Sequence, residues 1–142
     1  MLVREVMSRR VDFVSRTDTV QEAAQKMRSD NVGILPVFDG NFAVGVVTDR
    51  DMTLRVVAEG LRPDTTRVFK IMTPDVFFCH DSDTVSTAAQ IMEEKQVRRL
   101  LVKNEEDHVV GVISLADLAK SHVKDLTAEV LRKITAPAHP DW

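Results

Sequence analysis

Two stretches decide the fold: Gly45-Val46-Val47-Thr48-Asp49-Arg50-Asp51 and Gly111-Val112-Ile113-Ser114-Leu115-Ala116-Asp117. Each is a glycine, two β-branched residues, a hydroxyl, two variable residues and an aspartate. The pattern describes a strand that runs straight into a helix. The hydroxyl can cap that helix, and the freed amides with the helix dipole attract an anion. The aspartate lies one turn in, on the same side. A carboxylate there can accept from both hydroxyls of a ribose, as an acidic residue does in dinucleotide folds. Ser/Thr-x-x-Asp is also a plain capping box. Its recurrence after the same glycine favours a ligand site, although common ancestry would preserve a plain cap too.

Outward from these stretches the whole chain is written twice. Shifted by 65 residues (68 − 3), Val3 falls on Val68, Met7 on Met72, Phe13 on Phe78, Asp18-Thr19-Val20 on Asp83-Thr84-Val85, and Ala23-Ala24-Gln25 on Ala88-Ala89-Gln90. One residue is inserted in the second copy near Asn104–Asp107, after which Val44-Gly45-Val46 meets Val110-Gly111-Val112 and Asp51 meets Asp117. In each copy an apolar run, Val11–Ser15 or Val76–His80, reads as a strand. A capping signal follows, with Glu22 three residues after Thr19, and then apolar residues at helical spacing. Ile34–Phe38 and Ala43–Thr48 form a hairpin through Asp39-Gly40; Leu100–Lys103 and Val109–Ser114 repeat it. A second helix is expected from Asp49 to about Glu59, ended by Gly60 and Pro63, with its counterpart from Leu115 to Val123. A further amphipathic helix is expected over Val123–Ile134, and a frayed tail over Ala136–Trp142. A unit of this size has a poor core alone, so two copies packed face to face would cover both sheets.

The 142 residues carry 44% hydrophobic and 29% charged side chains and a formal net charge of −3, with a pI of about 5.8. That acidity disfavours a nucleic-acid binder working by bulk charge. Apolar runs are too short to span a bilayer. The N-terminus, with Arg4, Glu5, Arg9 and Arg10, lacks the apolar segment of a signal peptide. The single cysteine, Cys79, has no internal partner, which suits a reducing, cytoplasmic setting. Catalytic signatures are missing: no phosphate-binding Gly-Lys loop, nucleophile elbow, His-Glu-x-x-His or Cys-x-x-Cys. His80, His108, His122 and His139 have no metal-ligand spacing. Met7, Met27, Met72 and Met92 read as core filler, and Cys79 as a buried strand residue.

The duplicated unit with Gly-h-h-Thr/Ser-x-x-Asp (h, an apolar residue) resembles a tandem pair of cystathionine-β-synthase (CBS) domains, the Bateman module. Gly45–Asp51 and Gln96-Val97-Arg98-Arg99-Leu100 carry the resemblance, which extends from residue 3 to about 122 and is strongest to small stand-alone members of the hypoxic-response type. It implies an α/β (α+β) fold of two β-α-β-β-α repeats, 1–60 and 68–122, joined by a linker at 61–67 and followed by a C-terminal helix and tail at 123–142. The repeats would pack sheet to sheet with pseudo-two-fold symmetry. It further implies a non-catalytic sensor that binds adenosine-type ligands (AMP, ADP, ATP, S-adenosylmethionine) in two composite clefts. No catalytic cofactor and no metal are implied. Cleft one would hold Thr48 and Asp51 with Phe77, Phe78, Val97, Arg98, Arg99 and Leu100. Cleft two would hold Ser114 and Asp117 with Asp12, Phe13, Val32, Gly33, Ile34 and Pro36. The second copy departs from the family in having Leu101 where the first has Pro36.

Arg98 and Arg99 suit a phosphate; the alternative is a solvated edge of a helix-to-strand turn. An effector protein in trans would read the signal. Apolar residues on the second helices (Met52, Leu54, Val56, Val57, Leu118) suggest a homodimer. The rival readings are a protein-interaction module with vestigial clefts and, at greater distance, a nucleotide hydrolase.

Overall fold

The computed structural model describes residues 1–120 and 130–134. The fold is mixed α and β with two three-stranded sheets, as the repeat implies. The elements are α1 (Val3–Val6), β1 (Val14–Ser15), α2 (Val20–Asp30), β2 (Ile34–Asp39), β3 (Phe42–Thr48), α3 (Asp49–Met52), a π-helical turn (Thr53–Val57), a 3-10 turn (Val68–Lys70), β4 (Phe78–His80), α4 (Val85–Lys95), β5 (Arg99–Lys103), β6 (Val109–Ser114) and α5 (Leu115–Lys120). Residues 130–134 are helical. The rest of the expected C-terminal helix, the tail, His122 and His139 lie outside the described residues.

The chain divides into two compact units. One is Asp12–Val76. The other joins Met1–Val11 to the described residues from Phe77 onward. The sequence copies and the spatial units therefore differ by one segment: the residues ahead of each copy's first strand belong to the unit of the other copy.

In the unit Asp12–Val76, β1 runs parallel to β2, and β2 pairs antiparallel with β3. A parallel pair needs a crossover, and α2 supplies it. The start of α2 is set by Thr19, whose hydroxyl accepts from the Glu22 N–H while Glu22 reaches back to the Thr19 N–H. Asn31, in the left-handed region at φ 54°, ends it. Val20, Ala23 and Met27 fall on one stripe and are buried with Leu35, Val37 and Val47. Residues 61–67, read as a linker, are built into this unit. Thr66 is buried, its hydroxyl donates to the Arg62 carbonyl, and its own carbonyl accepts from Val20. Arg62 and Asp64 form an exposed pair; the carboxylate raises the guanidinium pKa and is itself held below its ordinary value.

The other unit repeats the plan. β4 is parallel to β5, and β5 antiparallel to β6. α4 starts at Thr84, which caps the Thr87 N–H, and ends at Gln96 with φ 57°. Its core gathers Val85, Ala88, Ala89, Met92, Leu100 and Ile113, and Val3 from the N-terminal segment joins it fully buried. Met27 and Met92 are core residues, while Met7 and Met72 pack partly buried against the two cores, in line with their reading as filler. Cys79 is buried as expected.

Two expectations change. The first strands are shorter than the apolar runs and begin only at Val14 and Phe78. The helix expected from Asp49 to Glu59 is α-helical for four residues and then widens to π over Thr53–Val57 before Gly60 turns at φ 69°. That turn buries Val56 and leaves Leu54 and Val57 exposed.

Candidate ligand site at the strand ends

The motif glycines have a packing reason. A Cβ on Gly45 would meet the Thr73 carbonyl oxygen at 2.6 Å and Met72 Sδ at 3.0 Å; one on Gly111 would meet the Ser8 carbonyl and Met7 Sδ, each at 2.7 Å. Thr73 and Ser8 cannot yield easily. Each exchanges two backbone hydrogen bonds with the neighbouring strand, Thr73 with Val46 at 2.8 and 2.8 Å and Ser8 with Val112 at 2.9 and 2.9 Å. In each unit the segment Met-Thr or Met-Ser thus crosses the strand at its glycine, and the strand runs on to its hydroxyl.

At the end of β3, Thr48 Oγ1 accepts from the Asp51 N–H at 3.0 Å, and Asp51 Oδ2 accepts from the Thr48 N–H at 3.0 Å. Ser114 and Asp117 make the same reciprocal pair: the Asp117 N–H donates to Ser114 Oγ at 3.2 Å, and the Ser114 N–H to Asp117 Oδ2 at 2.8 Å. The capping-box geometry is therefore present at both ends. Asp51 is buried at 7% exposure. Thr73 Oγ1 donates to its two oxygens at 3.2 and 3.4 Å, and Arg55 Nη1 stands 3.6 Å from Oδ1. Arg55 Nη1 also donates to the carbonyls of Ile71 and Met72 at 2.9 and 3.2 Å. Sequence reasoning missed Thr73 and Arg55. Both left a signal: Arg55 lies four residues beyond Asp51, a helical neighbour spacing, and a hydroxyl follows the methionine in both copies.

Register places the other candidates. Residues opposite one another in a sheet share a face. Ile34 lies opposite Thr48, and Pro36 opposite Val46, on the face away from the core of their unit. Gly33 accepts from the Asp49 N–H, and a Cβ there would meet the exposed Asp49 carboxylate at 3.0 Å, a contact that the side chain relieves by turning. Val32 packs against its own core. Phe13, exposed, stacks on Phe38 with centroids 4.8 Å apart, and Asp12 precedes β1. In the other unit Arg99 lies opposite Ser114, and the Arg98 carbonyl accepts from Leu115. The exposed arginines, expected opposite Thr48 and Asp51, belong to the unit of Ser114 and Asp117, where Arg99 begins the central strand β5 and Arg98 precedes it. Phe78, Leu101 and Val112 share that face, with Lys103 Nζ 4.0 Å above the Phe78 ring. Leu100 points the other way, into the core at 1% exposure, and Phe77 and Val97 pack against that core.

Among the described residues no group of three or more His, Cys, Asp or Glu is placed to hold a metal, and no helix is long and apolar enough to cross a membrane. Burial, with Asp83 nearby, pushes the Cys79 thiol up to about 12, which leaves it a poor nucleophile.

Such a chain is a duplicated α+β module with a hydroxyl–aspartate pair at each long strand's end. It belongs to the CBS domain family: the family model for the CBS domain matches residues 3–58 and 68–124. Among relatives, the CBS domain-containing protein YhcV of Bacillus subtilis is 34% identical over 126 residues, covering 89% of each chain. Hypoxic response protein 1 of Mycobacterium tuberculosis is 30% identical over 135 residues and 94% of each. A crystal structure of Hypoxic Response Protein I with two coordinated zinc ions superposes with a TM-score of 0.73 at 31% identity, covering 84% of this chain and 98% of that one. The CBS domain pair of protein MJ0100, in complex with 5′-methylthioadenosine and S-adenosyl-L-methionine, shares the fold with a TM-score of 0.70 at 23% identity, over 84% of this chain and 94% of that one. CBS domain pairs are regulatory modules.

Proposed function

We propose that this protein is a non-catalytic sensor that binds an adenosine-type ligand at its strand ends and signals to a partner protein in trans. The observation that carries the reading is the unit of Ser114 and Asp117. A hydroxyl and a carboxylate stand at the end of β6, Arg99 lies opposite Ser114, and half-buried Phe78 and Val112 continue the same face on either side of buried Leu101. An apolar face takes a purine ring, a carboxylate takes ribose hydroxyls, and arginine takes phosphate. AMP, ADP and ATP fit this set, and the phosphate is what the arginines add. Binding shifts an equilibrium between states only by the difference in ligand affinity for them. The exposed Leu54, Val57 and Leu61 support a homodimer, and the lone buried thiol of Cys79 suits the cytoplasm.

The test is a calorimetric titration with AMP, ADP, ATP and adenosine, together with mass spectrometry of any ligand that co-purifies. Micromolar binding that weakens about tenfold on Arg99→Ala for AMP but not for adenosine supports the reading. The alternative, an interaction module whose aspartates serve only as caps, rests on the reciprocal Thr48–Asp51 and Ser114–Asp117 bonds. It gives no heat with any of the four.

A further inference from the structure

The two aspartates hold equivalent places in the repeat and unequal hydrogen bonding. We propose that Asp51 is a latch, closed to ligand by Thr73 and Arg55, and that Asp117 is the carboxylate through which this chain takes the ribose diol; the assignment rests on the sensor reading above.

A carboxylate offers about four acceptor positions on two oxygens. At Asp51 both oxygens are used by the protein. Oδ2 takes the Thr48 N–H and faces the Thr73 hydroxyl, and Oδ1 takes the Thr73 hydroxyl and faces the Arg55 guanidinium. Thr73 is fixed by its backbone bridge to Val46, and Arg55 by the carbonyls of Ile71 and Met72. A ribose diol arriving at Asp51 must displace the hydroxyl and compete with the cation. Asp51 is also buried, so that competition takes place away from water.

Asp117 has neither partner. Its Oδ2 takes the Ser114 N–H and hydroxyl at 2.8 and 3.1 Å, and among the described residues Oδ1 accepts no hydrogen bond. Ser8, the counterpart of Thr73, turns its hydroxyl toward the Arg10 carbonyl at 3.4 Å. The counterpart of Arg55 in the sequence is Ser121, which carries no charge. Among the described residues, a diol can therefore reach Oδ1 of Asp117 without breaking a contact. The arginines stand in that same unit, so charge and acceptor capacity coincide on one copy.

The test is calorimetric stoichiometry with adenosine and with AMP on three proteins. The unaltered chain is expected to bind one equivalent. Asp117→Asn is expected to weaken that binding at least tenfold. The double variant Arg55→Ala, Thr73→Val removes the latch, leaves the Thr48–Asp51 pair in place, and is expected to bind a second equivalent. Two equivalents on the unaltered chain, one equivalent that survives Asp117→Asn, or no second equivalent after the latch is removed each overturn the assignment while leaving the sensor reading intact. No binding of either probe by the unaltered chain overturns the sensor reading and the assignment with it.

Discussion

Asp51→Ala and Asp117→Ala remove the same atoms from equivalent positions, and the structure assigns them different costs. At Asp51 the substitution strips the acceptor from the Thr48 N–H and the Thr73 hydroxyl in a site only 7% exposed. A hydrogen bond to a charged group contributes roughly 1.5–3 kcal/mol, and a buried donor left unsatisfied keeps its desolvation cost. The contact with half-exposed Arg55 adds only about 0.3–0.5 kcal/mol. A loss of about 3–4 kcal/mol follows. At Asp117 the partners are the N–H and hydroxyl of one partly buried serine. That hydroxyl can turn to water, so about 1–2 kcal/mol is expected, the size of an ordinary cap. For a chain of this length each kcal/mol moves the melting temperature by roughly 2–4 °C. The difference of about 1–3 kcal/mol means that Asp51→Ala should melt about 2–12 °C below Asp117→Ala. Scanning calorimetry measures both, with urea midpoints as the check. Thr73→Val in the Asp51→Ala background should cost little more, because its hydroxyl has already lost its acceptor. Equal melting shifts for the two alanine variants, or a larger one for Asp117→Ala, would refute the reasoning that Thr73 and Arg55 hold Asp51.

Other expectations follow from the same contacts. Gly45→Ala and Gly111→Ala should each lose about 1–3 kcal/mol, because the new methyl meets a backbone carbonyl held by two hydrogen bonds; unchanged denaturant midpoints would show that the crossing segment yields freely. Deleting residues 1–8 removes buried Val3 and the Ser8–Val112 bridge. Hydrogen exchange should then speed up in Phe78–Ser114 while Asp12–Val76 keeps its protection, and the opposite distribution would contradict the exchange of leading segments. Cys79 should resist a thiol reagent at pH 8 until the protein unfolds. Its folded pKa, raised from 9.0 to about 12, makes the neutral thiol a stabilising feature that is fully present below pH 9. That contribution is lost as pH rises from 9 toward 12, because the unfolded chain releases the proton first; rapid labelling of the folded protein at pH 8 would count against the burial.

The duplication, both hairpins, the helix caps and the methionine positions were all legible in the sequence, because they depend on spacing and on local backbone chemistry. Thr19 and Glu22 lie within one turn of each other, so the capping box at α2 needs no tertiary information. The Thr/Ser-x-x-Asp spacing gave the location of the candidate site for the same reason.

Only the tertiary structure decided three matters. Met1–Val11 and the segment leading to Val76 change units because the chain enters each copy across the other's glycine-bearing strand. That is a contact between residues tens of positions apart, such as Ser8 and Val112, and no local pattern specifies it. The apolar residues of the second helices are more than one core face can hold, and the fold decides which are covered: the π-helical turn buries Val56 and exposes Leu54 and Val57, and Leu118 is core. The two aspartates read as identical in sequence. Whether a carboxylate still has an oxygen to offer depends on what surrounds it, and Thr73, twenty-two residues away, is brought to Asp51 by the strand crossing at Val46, while Ser8 turns from Asp117. Residue type set the chemistry that each site could perform; the long-range crossing decided at which one an acceptor was left unused.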